Sequence, residues 1–561
     1  MKKLFLLAYI SCHLLATTYS RAQDFQPIVP LNTKPLLAGN FAELRPNHFH
    51  GGLDLKTEGR EGLQVLAAQD GYVSRIIVSP YGYGKMLYIT HADGYVTTYG
   101  HLQKYAPAIE AYVKKKQYEK QTYDIDITPA ENEFVVKKGE WVGVSGNTGG
   151  SHGPHLHFEV RDTSNNGWNP LLFAFREIED TTPPEITGLF AYALGTDAQV
   201  AHTQLSQQLQ KKRLPDGSFV TDTLRAIGTI GFGFQAFDRQ DGTLHKNGIY
   251  KATLLLNGEP QLQSAFDKVN FGDTRCINIL TDYERYLSDK SFVQLLYKKP
   301  GNRLEIYKIL KENNGYLTIE EGQTYTATVV VEDFKGNATS VNIPIKGERL
   351  ELKTERPENK GNKQLIAKRD NYYELSKGSV FFPENTFYED QLINISEDSD
   401  GLLIGNRRTP VDKYFTVTMK NTNFAEDEIS KVFISAAGGF ATTVYKDGIF
   451  TARARSLGRY SLRKDSTPPT LKALNFKDKG VVKGNTLKVT VSDNLSGFAS
   501  CSATLNGQWI LFEYEPKNRT LTFNFDDVDT TDTTKYELIV NAYDKVGNVG
   551  TLKATFTRPN S

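Results

Sequence analysis

Along most of the chain, apolar and polar residues alternate in short runs rich in Val, Ile, Tyr, Phe and Thr, broken by Asp-Gly, Asn-Gly and Gly-Gly pairs. A period of two sends successive side chains to opposite faces of a strand, and those dipeptides suit the tight turns between strands. The pattern predicts an all-β protein. Gly71–Val78 reads as a strand after the Asp70-Gly71 turn, and Lys85–His91 with Tyr95–His101 reads as a hairpin closed at Asp93-Gly94. One stretch departs from the pattern: Ala106–Tyr123, with Glu110, the run Lys114-Lys115-Lys116 and few strand formers, predicts a helix.

A repeat sets the module boundaries. Asp180-Thr181-Thr182-Pro183-Pro184 recurs as Asp465-Ser466-Thr467-Pro468-Pro469. Paired prolines hold a linker extended and cannot join a central strand, so each pair marks an entry. After the first come Asp238–Gly242, Asn257-Gly258 and Asp333-Phe334-Lys335-Gly336-Asn337; after the second, in the same order, Asp493–Gly497, Asn506-Gly507 and Asp544-Lys545-Val546-Gly547-Asn548. Both stretches resemble bacterial immunoglobulin-like modules, which implies sandwiches of about seven strands. The first copy carries an insertion around Gly272–Gly315 with no assigned form, and the strand-rich stretch between the copies reads as a third β-sandwich. At 561 residues the chain exceeds a single core. The expected organisation is a signal peptide at 1–22, a first domain at 23–179, and sandwiches at 180–349, 350–464 and 465–561.

The start of the chain predicts export. Lys2 and Lys3 precede an apolar run from Leu4 to Ala16, and Ser20-Arg21-Ala22 offers a cleavage site before Gln23. Cys12 sits inside the apolar run, which argues against a lipid-modified N-terminus. Loss of Lys2, Lys3 and Arg21 takes the formal charge from +1 to −2, a balance that argues against a nucleic-acid partner. No later apolar run reaches the ~20 residues of a membrane span. The expected location is the periplasm or the cell exterior. Only Cys276 and Cys501 survive cleavage, in different modules, so no disulfide framework is expected.

The chemistry is concentrated in histidine: seven of ten lie between His48 and His157. Three clusters stand out: His50-Gly51-Gly52-Leu53-Asp54, Tyr99-Gly100-His101-Leu102, and Gly153-Pro154-His155-Leu156-His157-Phe158-Glu159. On a strand, His155 and His157 project to one face while Leu156 and Phe158 pack behind. Gly51-Gly52 argues against a helix, and a strand through a tight bend brings His50 and Asp54 inward together. Two imidazoles and a carboxylate form a three-ligand set for zinc that leaves a fourth position for water. Alone, His-x-His or His-x-x-x-Asp more often has a structural role; their combination with Tyr-x-His-Leu is far more specific.

With these motifs, Asn40–Phe173 resembles the lysostaphin and LytM-type family of zinc endopeptidases, which also has Gly146-Asn147-Thr148-Gly149 ahead of the His-x-His segment. The resemblance implies an all-β domain with a narrow groove, Zn2+ held by His50, Asp54 and His157, His101 and His155 as catalytic histidines that do not bind the metal, and peptidoglycan peptides as substrates, either stem-peptide cross-links or glycine bridges; a D-alanyl cross-link is the expected scissile site because no wall-binding module is recognised in the sequence. Because no His-Glu-x-x-His is present, a free imidazole has to act as the base. His155 is the expected base. His101, placed by strand parity on the face of Tyr95, Thr97 and Tyr99, is the expected donor to the oxyanion, though the roles could be exchanged. Glu159, with the parity of His157, either orients that ligand or stands as an exposed strand carboxylate. His152 occupies a place where the family has a small hydroxyl residue, and it reads as a solvated loop residue. Gln103–Lys138 is longer than the expected hairpin, either a flap beside the groove or a solvated insertion. His48 and His91 read as strand and turn residues. Two other functions compete: a catalytically inactive LytM-like activator of another wall hydrolase, and an adhesion or carbohydrate-binding protein whose immunoglobulin-like modules take a protein or glycan partner.

Overall fold

The computed structural model describes residues 25–559 apart from 174, 176, 359 and 529–533. The expected signal peptide, 1–22, lies outside the described residues. Strands dominate, as the alternation predicts.

The sheet that carries the histidines is antiparallel. Its strands are β1 (Leu37–Gly39), β2 (Leu53–Lys56), β3 (Gly71–Val78), β4 (Lys85–Thr90), β5 (Tyr95–Leu102), β6 (Ile125–Ile127) and β7 (His155–Asp162), in the spatial order β1-β2-β7-β5-β4-β3-β6. Strand β7 sits between β2 and β5, with His157 opposite both Asp54 and Gly100, and Phe158 opposite Leu53 and Tyr99. Its alternation decides which way each residue faces. Leu156, Phe158 and Val160 are fully buried on the core side, and each apolar side chain there contributes about 1.5–3 kcal/mol. The opposite face is left to His155, His157, Glu159 and Arg161.

The predicted helix is α1 (Pro107–Lys120). Pro107 opens it with a preset φ, Glu110 and Lys120 complement its dipole, and Gln121 ends it in the left-handed region at φ 48°. None of the residues that line the groove below comes from this insertion. Instead α1 meets the last sandwich: Lys114 pairs with Asp527 at 2.8 Å, and Tyr118 meets Trp509 edge to face at 5.1 Å.

Apolar side chains from Phe25 to Ile345 form one continuous cluster, and strand Asn166–Trp168 pairs with Lys268–Asn270 of the following stretch. The insertion around Gly272–Gly315 folds as short helical turns at Phe271–Cys276, Ile277–Leu280 and Tyr283–Asp289, followed by strand Tyr307–Leu310. Further on, two five-stranded sheets enclose a core from Leu365 to Tyr460, and a four-stranded and a five-stranded sheet enclose another from Phe476 to Phe556. The two repeat copies close alike. Asn337 Nδ2 donates to Asp180 O (3.1 Å) and Asn548 Nδ2 to Asp465 O (2.9 Å), so each closing turn is tied to its own entry linker. Cys276 and Cys501 are both free thiols.

Candidate metal centre

His50 and Asp54 reach β7 because two glycines separate them. A Cβ on Gly52 would stand 2.1 Å from Phe158 O, and one on Gly51 would stand 2.4 Å from Glu159 Oε1. Only glycine allows so close a backbone approach. The bend lays His50 beside His157 at the start of β2, and Asp54 follows directly opposite His157.

Three side-chain atoms then converge. His50 Nε2 lies 2.9 Å and His157 Nδ1 2.8 Å from Asp54 Oδ1, and the two nitrogens are 3.0 Å apart. All three residues are buried, with exposures of 4, 5 and 1 % for His50, Asp54 and His157. The outer nitrogens fix the tautomers. His50 Nδ1 is 2.7 Å from Asn40 O, and His157 Nε2 is 2.8 Å from Glu159 Oε1; a carbonyl and a carboxylate can only accept, so each outer nitrogen donates. With both rings neutral, the two inner nitrogens and Asp54 Oδ1 are three lone-pair atoms aimed at one point with no proton among them. Buried acceptors so arranged require a cation, and two imidazole nitrogens with a carboxylate oxygen match zinc's preferences.

The surroundings bias the charges. Burial lowers the His50 pKa, with Asp54 opposing. Burial also opposes charge on His157, but its bonds to Asp54 and Glu159 prevail and, without metal, raise its pKa to about 9. Asp54 is held well below the usual carboxylate range: burial works the other way, and His50, His155 and His157 outweigh it. Arg45 Nη2 also donates to Asp54 Oδ2 at 2.8 Å. Glu159 is likewise depressed against its burial, by Arg161, whose Nε donates to Oε2 at 2.5 Å, and by His157.

The two other histidines flank this centre. His101 Nδ1 donates to Thr148 O and His155 Nδ1 to Gly153 O, both at 2.8 Å, and the rings lie 4.7 Å apart. Burial, then the neighbouring His157 and His155, push the His101 pKa down to about 3, so its ring stays neutral with Nε2 unprotonated. His155 Nε2 lies 3.4 Å from Asp54 Oδ1. The strand-parity expectation for His101 is corrected. Thr97 and Tyr99 pair with Val160 and Phe158 and face the core, whereas His101 adopts a left-handed φ of 58° and its ring turns to the His157 side, 5.9 Å away. A cavity of about 910 Å³ opens over the site, lined among others by Arg45, Asp54, His101, His152 and His155.

All five residues singled out for metal and catalysis therefore meet at one place. Glu159 is a buried partner of His157, not an exposed carboxylate. His152 is exposed at the cavity rim and His48 is exposed. His91 is buried, held by Asp70 O and Thr97 Oγ1 at 2.8 Å each. The sequence reading missed Asn40, Arg45, Tyr83 and Arg161. Tyr83 lays its ring 4.7 Å from that of His157; Arg161 alone carried a signal, as the next residue of equal parity after Glu159. The reading also missed the contacts that the last sandwich makes beside the site. Lys517 Nζ donates to Asn147 O and to Gly149 O (3.1 Å), in the loop that supplies Thr148 O to His101, and Glu513 pairs with Lys85 (3.2 Å) and Lys114 (3.3 Å).

Residues 48–118 match Peptidase family M23, a stretch that holds His50, Asp54 and His101, and residues 362–465 match the Zu5-like domain. An uncharacterized metalloprotease of Haemophilus influenzae is 34% identical over 122 residues, 22% of this chain and 20% of its own length. The DD-carboxypeptidase/endopeptidase Mpg of Neisseria meningitidis is 29% identical over 159 residues, 28% of this chain and 29% of its own. The chain thus spans less than a third of these relatives. The catalytic domain of lysostaphin from Staphylococcus simulans aligns over 24% of this chain and 87% of its own at 25% identity, with a TM-score of 0.18. The match to Peptidase family M23 over residues 48–118 thus falls on the stretch that supplies His50 and Asp54 of the three-atom cluster and His101 beside it.

Proposed function

We propose that the protein is an exported zinc endopeptidase that cuts peptide cross-links of bacterial peptidoglycan in the periplasm or at the cell surface. The observation that carries this reading is the meeting of three buried lone-pair atoms from His50, Asp54 and His157, each imidazole fixed from behind by an acceptor. Zinc held there would polarise the scissile carbonyl and acidify the attacking water. The chain's own residues do the rest. His101, its Nδ1–H committed to Thr148 O, presents an unprotonated Nε2 and takes the proton from the water. His155, across the site at 4.7 Å, has its Nδ1–H committed to Gly153 O, so it would stabilise the carbonyl oxygen as an imidazolium that donates from Nε2 as charge develops there. The two roles are thereby exchanged relative to the sequence expectation, because burial keeps His101 neutral. Mpg's name as a DD-carboxypeptidase/endopeptidase supports a D-alanyl cross-link as the bond cut. The remaining sandwiches would meet a protein or glycan partner in the envelope.

The test is direct. Protein purified without its first 22 residues should carry about one zinc per chain and release peptides from cross-linked peptidoglycan, identified by mass spectrometry. Asp54→Ala should abolish both. Protein that holds no zinc yet stimulates an amidase would replace this reading with the activator, and glycan binding without hydrolysis would replace it with adhesion.

A further inference from the structure

A second cluster of titratable groups lies away from the peptidase site. One carboxylate oxygen each of Asp180, Asp238 and Asp333 lies within 4.8 Å of the other two. They arrive from the entry linker, from the end of strand Leu224–Phe237 and from the turn after strand Thr324–Glu332. Asp333 accepts from Asn337 N (2.9 Å) and Nδ2 (2.6 Å), Asp180 Oδ1 accepts from Thr182 N (3.0 Å), and Asp180 and Asp238 share a side-chain hydrogen bond.

Asp238 differs. It is 6 % exposed, and its Oδ1 is buried without a hydrogen-bond partner. Asn247 stands opposite. The two exchange both backbone bonds, Asp238 N to Asn247 O (2.9 Å) and Asn247 N to Asp238 O (2.8 Å), a pairing that puts their side chains on the same side of the ladder. Asn247 is 3 % exposed, and its Oδ1 is also buried without a partner. An orphan oxygen of Asp238 thus sits in the carboxylate cluster, and a second orphan oxygen belongs to its ladder partner Asn247. The groups acting on Asp238 are themselves acidic: burial first, then Asp180 and Asp333, push its pKa up to about 8. Buried oxygens left unpaired in this way are rare and costly.

We infer that Asp180, Asp238 and Asp333, with the side-chain carbonyl of Asn247, form a Ca2+ site that locks the linker leaving the peptidase domain to the first sandwich. The donor set is all oxygen, which suits a hard cation rather than zinc. Calcium holds oxygens at about 2.3–2.6 Å, so oxygens around one ion lie no more than roughly 5 Å apart, and the three carboxylates are close enough together to meet that limit. The other repeat copy brings Asp465, Asp493 and Asp544 together in the same way, but Lys431 acts on Asp465 there. A built-in cation meets part of that need, so the assignment is confined to the first copy.

The test uses the full mature chain, stripped of metal, reloaded with zinc and titrated with CaCl2 up to about 1 mM, the range of extracellular calcium modules. Wild type should take up about one Ca2+ more than Asp238→Asn, with a Ca2+-dependent rise in Tm of ~2 °C or more that the variant lacks. Asp238→Asn keeps the shape of the neutral side chain and takes away only its ability to ionise on meeting a cation, so it should fold and keep its zinc. Asn247→Ala should weaken Ca2+ uptake about tenfold and leave zinc content unchanged. Equal Ca2+ uptake by wild type and Asp238→Asn, or no Ca2+ effect on either, would overturn the assignment and leave the carboxylates sharing protons.

Discussion

Glu159 Oε1 accepts the His157 Nε2 proton at 2.8 Å, while its Oε2 accepts from Arg161 at 2.5 Å, so one buried carboxylate ties the inner ligand of the metal centre to a cation. It holds the proton on His157 Nε2, so Nδ1 is the nitrogen that gives up its proton to meet a metal. Glu159→Gln keeps the shape but not the charge, and zinc affinity should fall about 10–100-fold, as for other outer partners of metal-bound histidines. Glu159→Ala also takes the carboxylate from Arg161, which keeps Asn165 Oδ1 and the Tyr88 and Phe271 rings as partners, so the loss of stability should be about 2 kcal/mol, below the full cost of a stranded buried charge. Zinc competition with a chromophoric chelator reads the first effect and thermal denaturation the second. Unchanged affinity in Glu159→Gln would remove Glu159 from any role in orienting the ligand.

Metal and proton compete for His157. Its pKa in the metal-free fold is raised from 6.5 to about 9 by Asp54 and Glu159. A raised pKa contributes stability that is full below 6.5 and is lost as pH climbs through 9, so the metal-free protein should become less stable across that window. Zinc binding has the opposite slope, because His157 must give up its proton. Apparent affinity should rise about tenfold per pH unit from 7 toward 9, with about one proton released per zinc bound at pH 7. Calorimetry in buffers of different ionisation enthalpy counts that proton.

Much of this site was legible because strand parity is rigid. His155, His157 and Glu159 share a face of β7 wherever that strand lies, so their grouping needed only the alternation. His50 and Asp54 were legible through Gly51-Gly52, whose crowding against β7 explains the bend. Parity failed at His101, where a left-handed residue reverses the face, and no residue type announces that turn. Asn40 and Arg45 were hidden because they approach from a separate segment and act through a carbonyl and a long side chain. The contacts of Glu513 with Lys85 and of Lys517 with Gly149 join residues 428 and 368 positions apart and have no local signature.

The bend at Gly51-Gly52 predicts an asymmetry between glycines near the groove. Gly52→Ala would push a methyl into Phe158 O, 2.1 Å from the ideal Cβ position, and must shift β2 away from β7. Such overpacking costs about 1–3 kcal/mol, and the shift carries His50 and Asp54 with it, so zinc should be lost. Gly153 has nothing within 4 Å of an added Cβ and no left-handed φ. Gly153→Ala should keep both zinc and stability. Metal content and thermal melts of the pair check the contrast.

The last sandwich grips the loop that fixes His101. Lys517 Nζ donates to Asn147 O and Gly149 O on either side of Thr148, whose own carbonyl accepts from His101 Nδ1. Lys517→Ala frees those two carbonyls without touching the metal cluster. Hydrogen exchange at Gly149–Ser151 should quicken, and kcat should fall several-fold with zinc content unchanged, because the base loses its fixed orientation. Beside it, Lys85 is buried and pairs with Glu513 of the same sandwich at 3.2 Å. Glu513→Ala strands that ammonium, but Glu513 keeps about a third of its side chain in solvent, so the loss should sit near 2 kcal/mol, below the full cost of a buried pair. Both substitutions fall in the last sandwich, so activity that responds to Lys517→Ala while the peptidase fold stays intact would mean that the distant module holds the catalytic loop in place. If neither exchange nor kcat moves, the contact is only packing.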